Sequence, residues 1–238
     1  MTFGVVILDR VIDYLAVFFA LIIVLPLHEF AHAFVAVKCG DNTPKLLGRY
    51  TLNPLKHFDI IGLLCMIVVH FGWAKPVPID PNNFRRRTLG CLLVAISGIL
   101  ANLITALLIY PILILSLRMP NIGLFDDLII KIFFYIFNLS LTFAAFNLLP
   151  LMPLDGFRII QSFTKPYNRF RIFMERYSAY ILLGLVGLNF LGDLIYQVAP
   201  NMFIRMPALK YLQILNITIG WLGNIFGKPI ILLWGLIF

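Results

Sequence analysis

Residues 14–37 read YLAVFFALIIVLPLHEFAHAFVAV, a stretch without Lys, Arg or Asp. It is long enough to cross the hydrocarbon core of a bilayer, which takes about 20 apolar residues. Yet it carries His28, Glu29 and His32 within about one helical turn. Ionisable groups inside a span cost free energy and mark function by default. Their spacing is HExxH: on a helix, histidines four apart share a face and can point at one metal ion. The glutamate beside the first can act as base to a water that the metal polarises. The alternative is a buried polar cluster that holds helices together.

The rest of the chain agrees with a membrane setting. Of its 238 residues, 61% are hydrophobic and 13% charged, against about 45–50% and about 25% in soluble globular domains. So short a chain cannot hide that much apolar surface from water, and its richness in apolar residues excludes disorder. Further apolar spans are expected at about Thr88–Leu117, Leu128–Pro150 and Ser178–Val198. The tail from about Leu209 to Phe238 is broken by Gly220, Gly223, Gly227 and Pro229. It reads as one kinked span, a hairpin or an interfacial helix. Asp9, Arg10 and Asp13 give the first span a mixed-charge start, unlike a cleavable signal peptide. Cys39, Cys65 and Cys91 are far apart, which points to neither a disulfide framework nor a thiolate metal cluster. The 22 phenylalanines read as lipid-facing and packing surface.

The net charge of +8 is localised. Lys38, Lys45, Arg49, Lys56, Lys75 and Arg85–Arg87 lie between the first two spans, and Arg158, Lys165, Arg169, Arg171 and Arg176 between the third and fourth. By the positive-inside rule both segments face the cytoplasm and the N-terminus lies outside. The basic excess is thus for the lipid surface, with no nucleic-acid partner expected. Between Gly40 and Arg87, the run Ile60–Phe71 is too short to span, and Gly72-Trp73-Ala74-Lys75-Pro76-Val77-Pro78 cannot be helical. A partly membrane-dipping extended or β segment is expected there, beside a cavity that tolerates irregular backbone.

Catalytic zinc takes three protein ligands and keeps one open position. The HExxHxxGxxH pattern fails at Val35 and Lys38, and the only glutamate besides Glu29 is Glu175, in a basic loop. His57 and His70 are read as structural or interfacial. Asp9, Asp13, Asp41, Asp59, Asp80, Asp126 and Asp127 fall in loops or at span ends, and Asp193 at the opposite depth from the histidines. Asp155 remains, in Asn147-Leu148-Leu149-Pro150-Leu151-Met152-Pro153-Leu154-Asp155-Gly156. There two prolines interrupt the helix, and Gly156 is read as permitting a tight bend. An ordinary Pro-Leu-Asp-Gly turn is the other reading of this segment.

Taken together, His28, Glu29 and His32 with Asn147, Pro150, Pro153, Asp155 and Gly156 resemble the site-2 protease family of intramembrane zinc metalloproteases. Residues 48–54 (GRYTLNP) and 72–77 (GWAKPV) look like its compact bacterial branch. The likeness runs over about residues 15–165. Departures are Ser97-Gly98-Ile99 where the family often has Ser-Gly-Pro, and Asp59-Ile60-Ile61-Gly62 where Asp-Pro-Ile-Gly is expected; neither removes a ligand.

The resemblance implies an all-α polytopic membrane protein of about 4–6 transmembrane helices. It would have a three-helix catalytic core and a short extended segment. One membrane domain over residues 1–238 is expected, with its core at 14–165 and C-terminal helices at 166–238. The implied activity is cleavage of a peptide bond within or next to a partner's transmembrane segment, in a bacterial cell membrane, with the site toward the cytoplasm. One Zn2+ per chain would sit on His28, His32 and Asp155, with Glu29 as base. Asn147 would hold substrate backbone or steady the oxyanion. Asn102 could donate a hydrogen bond within the site, and the stretch with Trp73 and Lys75 could pair with an unwound substrate as a β-edge. Other classes consistent with the residues are a catalytically silent membrane-binding relative and a small metal or proton transporter. A transporter should show two related halves with paired broken helices, and no such repeat is present in the sequence.

Overall fold

The computed structural model describes residues 3–62, 65, 72–118, 123–199 and 206–237. Among them five helices are long and apolar enough to cross a membrane, and the protein is a multi-pass integral membrane protein. Helix α1 covers Phe3–Cys39, and two single turns follow, α2 (Thr43–Leu46) and α3 (Pro54–His57). The long helices α4 (Arg87–Arg118) and α5 (Leu124–Asn147) come next. A short amphipathic helix α6 (Asp155–Phe163) leads to α7 (Arg169–Val198) and, after a 3₁₀ turn at Pro207–Gln213, to α8 (Ile214–Gly235).

Helices α1, α4 and α5 pack on one another as a three-helix core. The reason lies in two rows of residues at four-residue spacing, which form continuous ridges on a helix. On α1, Ile12, Ala16, Ala20, Val24, His28, His32 and Ala36 are all buried. On α4 the row is Gly90, Val94, Gly98, Asn102 and Ala106. Gly90, Gly98 and Ala106 on α4 and Ala16, Ala20 and Ala36 on α1 are small, which lets the backbones approach closely. Two small-residue rows were legible on α4, Ser97-Ala101-Thr105 and Gly98-Asn102. The second is the buried one, while Ala101 and Thr105 are half-buried. The histidines therefore occupy positions that packing alone would assign to alanine.

At the far end of the core from these histidines, Lys131 of α5 makes ion pairs with Asp9, Asp13 (3.1 Å) and Asp127 (3.5 Å). This cluster ties the first turns of α1 to α5, so Asp9 and Asp13 are helical rather than loop residues.

The tail forms a single helix. Its glycines do not break α8; Gly227 serves close packing, since a Cβ there would stand 3.0 Å from Leu141 Cδ1, while Gly220, Gly223 and Gly235 have nothing within 4 Å. The indole of Trp234 donates to Leu107 O (2.9 Å), fastening α8 to α4. The third span ends at Asn147, earlier than Pro150. Gly72 to Asp80 is extended as expected, but the described residues hold no strand, only one antiparallel bridge between Phe58 and Ala74. Most of the run Ile60–Phe71, with His70, lies outside the described residues.

This extended strap is held at both ends. Lys75 N donates to His57 O (2.8 Å), and Arg49, itself buried, donates to Lys75 O and to Pro76 O (3.0 Å). At the other end, fully buried Asp41 accepts from Thr43 N (3.0 Å), Asp80 N (2.9 Å) and Asn83 Nδ2 (3.0 Å). Burial would raise the carboxyl pKa of Asp41, but its hydrogen bonds outweigh that and hold it below the ordinary carboxylate value. Its stabilisation of the loop is therefore present above that ordinary value and fades as pH falls below it.

Candidate metal centre

The α1 ridge brings His28 and His32 against α4, with their Nε2 atoms 3.0 Å apart. Asp155, the first residue of α6, places Oδ2 at 3.4 Å from His28 Nε2 and 3.1 Å from His32 Nε2. All three residues are buried. Helix α6 reaches this position because its start crosses the end of α5. A Cβ on Gly156 would collide with the carbonyl oxygens of Leu148 and Leu149. Gly156 is thus required for close approach, and the tight-bend reading is corrected. Ser178 of α7 fixes the connecting loop by accepting from Met152 N (3.0 Å).

Hydrogen bonds to the outer ring nitrogens settle how the imidazoles are presented. His32 Nδ1–H donates to Val94 O (2.7 Å), so its Nε2 carries a lone pair. Asn102 Nδ2 faces His28 Nδ1 at 3.1 Å, while Asn102 Oδ1 is buried without a partner. Turning the amide by 180° lets His28 Nδ1–H donate to Oδ1. Both Nε2 lone pairs then converge, and Asn102 orients His28.

Two converging lone pairs beside a carboxylate oxygen that also has no hydrogen-bond partner form an arrangement that only a cation or a proton stabilises. The donor set matches zinc: a tetrahedral ion with ligands at about 2.0–2.2 Å holds them about 3.3–3.5 Å apart. Gly98 is the floor of the site, since a Cβ there would lie 2.5 Å from His28 Cε1 and from His32 Cε1 and Nε2. We expect Asn102→Ala to weaken zinc affinity about 10–100-fold, the usual cost of losing such an orienting partner. Asn102→Asp keeps the acceptor and should retain zinc. A competition titration with a chelating dye measures both, and wild-type affinity in Asn102→Ala would remove the amide from this role.

Glu29 is buried beside the histidines and its Oε2 accepts from Val77 N (3.0 Å) on the strap. Arg49, which pins that strap, has its pKa drawn down by burial against the opposing effect of Glu29, and an arginine stays charged through such a shift. Asn147 ends α5, its Nδ2 donating to Phe143 O (3.1 Å); it makes no hydrogen bond to the histidines or Asp155. Trp73 and Lys75 are exposed, and the backbone of Lys75 is held by His57 and Arg49. His57 is fully buried, its Nε2–H donating to Thr51 O (2.7 Å), and serves the loop as expected. Sequence reading passed over Arg49 as one of many loop charges, although it sits in the quoted GRYTLNP stretch. Val77 N–H and Val94 C=O leave no side-chain signal at all.

Comparison with known proteins follows the same line. The model of peptidase family M50 matches residues 117–188. The chain is 38% identical over 175 residues to "Putative zinc metalloprotease YwhC" of Bacillus subtilis, covering 73% of this chain and 80% of that protein. It is 31% identical over 167 residues to "Putative zinc metalloprotease Rip2" of Mycolicibacterium smegmatis, covering 66% of this chain and 62% of that one. No solved structure matches.

Proposed function

This chain belongs to peptidase family M50, the site-2 protease family, and is a zinc metallopeptidase of the membrane; from that premise we propose that it cleaves a peptide bond within or next to a transmembrane segment of a partner protein. The observation that carries this is the buried convergence of His28, His32 and Asp155 among apolar helices. A soluble substrate has no reason to visit such a place. His28, His32 and Asp155 would hold the ion. Zinc bound there supplies Lewis acidity, polarising a carbonyl oxygen and lowering the pKa of water to about 7.

The chain's own residues do the rest. Glu29 has Oε2 engaged by Val77 N–H, leaving Oε1 to take a proton from the attacking water and deliver it to the leaving amine. Asn147 would exchange its bond to Phe143 O for one to the substrate backbone or the developing oxyanion. The strap around Trp73 and Lys75 offers an extended edge to which an unwound substrate can pair. Residues 1–238 act as one membrane domain, with the core in 14–165. The two basic segments favour a cytoplasmic site and an outer N-terminus, and the relatives named above come from bacteria, which supports a bacterial cell membrane.

The test is made with purified protein in lipid vesicles. About one zinc per chain is expected, and a transmembrane peptide should be cut until a chelator is added and again once zinc is restored. A protein that binds no metal, or that cuts soluble peptides in preference to membrane-inserted ones, overturns the proposal.

A further inference from the structure

Beside the metal centre is a cavity of about 590 Å³ between the start of α4, the strap and α6. It shares two walls with the site: Val77, whose N–H holds Glu29, and Val94, whose carbonyl holds His32. Its lining includes Arg87, Arg158 and Arg171 and no acidic residue. Arg171 is already committed to Glu175 (2.8 Å) and to Thr164 O (3.1 Å). Arg158 meets only Asp155 Oδ1, at 3.7 Å, a carboxylate already drawn to the imidazoles. Arg87 has no carboxylate partner among the described residues. Arg87, without such a partner, and Arg158, paired only at 3.7 Å with Asp155, therefore border an open space, and arginine is built to bind a carboxylate by two parallel hydrogen bonds.

We propose that this cavity is a specificity subsite for a carboxylate on the substrate chain, either an acidic side chain or a chain terminus. It deepens, and rests on, the intramembrane protease reading. Arg158 is separated from the imidazoles by the single Asp155 carboxylate, a span of roughly two extended residues at about 3.3 Å each. The recognised group thus stands about two residues from the cleaved bond. A peptide is the favoured occupant because the walls are the backbone units that hold Glu29 and His32, and whatever lies there lies beside the reacting bond. The subsite also works by exclusion. Transmembrane segments commonly carry Lys or Arg on their cytoplasmic flank, and those flanks meet the positive charges of Arg87 and Arg158 here.

The experiment measures binding, so that it does not depend on turnover. Glu29→Gln protein in phosphatidylcholine nanodiscs is titrated with one fluorescent transmembrane peptide in which a single Asp, Asn or Lys is walked along the cytoplasmic half. Asp at one or two adjacent positions should bind about tenfold more tightly than Asn, the scale of one charge-assisted hydrogen-bonded pair, and Lys more weakly than Asn. The gain should vanish when Arg87→Gln and Arg158→Gln are added, and persist in good part with Lys at both positions. No favoured Asp position, a gain that survives the Gln pair, or a gain lost equally with the Lys pair overturns the subsite. Phosphatidylglycerol that displaces the Asn peptide only when both arginines are present would assign the cavity to a lipid headgroup instead. Cleavage of the Asn peptide by wild-type protein tests the protease reading separately.

Discussion

Glu29→Gln protein will carry zinc at the wild-type stoichiometry and cut a membrane-inserted substrate about 10²–10⁴-fold more slowly, the range lost when a general base is removed. Zinc should stay because Glu29 is not one of the three groups that converge on one point. The fold should stay because glutamine has the same shape and still accepts from Val77 N, the only hydrogen-bond partner of Oε2 among the described residues. What disappears is the ability to take a proton. Metal analysis and initial rates on the same preparation decide the case. A rate within tenfold of wild type would move the base elsewhere, and loss of zinc would make Glu29 a ligand.

The second large effect is expected from a single methyl group. Gly98→Ala places a Cβ 2.5 Å from ring atoms of both His28 and His32, closer than side chains tolerate. Neither ring can retreat freely, because His32 is tied to Val94 O and His28 to Asn102. Displacing both imidazoles should cost zinc affinity about 100-fold or more, since even loss of one outer partner costs about 10–100-fold. Activity should fall with it. The control is Gly187→Ala on α7, where nothing lies within 4 Å of the new Cβ and alanine favours the helix by up to about 1 kcal/mol. Chelator titration of the two variants separates the outcomes. Wild-type zinc affinity in Gly98→Ala would mean that the rings have room to shift, and the close-packed floor would lose its role.

How much of this was legible before the coordinates depends on what carries the signal. Metal ligation needs particular side chains, so His28, His32 and Asp155 stood out in a chain with only 11 acidic residues. Long apolar runs were legible for the same reason, and α1, α4, α5 and α7 lie where hydrophobicity put them. The tail was not, because glycine and proline break helices in water but are accommodated in lipid, where no water competes for the backbone. Asn102 was found as a hydrogen-bonding group of the site, but that its partner is His28 Nδ1 is a tertiary fact. Gly156 was found for the wrong reason, since close approach to the Leu148 and Leu149 carbonyls is a tertiary fact. The strap's link to Glu29 runs through a backbone N–H, which every residue but proline possesses.

The seven-residue ridge of α1 has one more consequence. Because Ile12, Ala16, Ala20, Val24, His28, His32 and Ala36 recur every four residues and are all buried, the histidine pair sits at one stop along a continuous ridge. Moving it by one stop, four residues, would keep its direction and shift it about 6 Å along the helix axis. On the proposed intramembrane cleavage, the depth at which a bond is met is therefore a stepped setting, chosen by where the pair is written along α1.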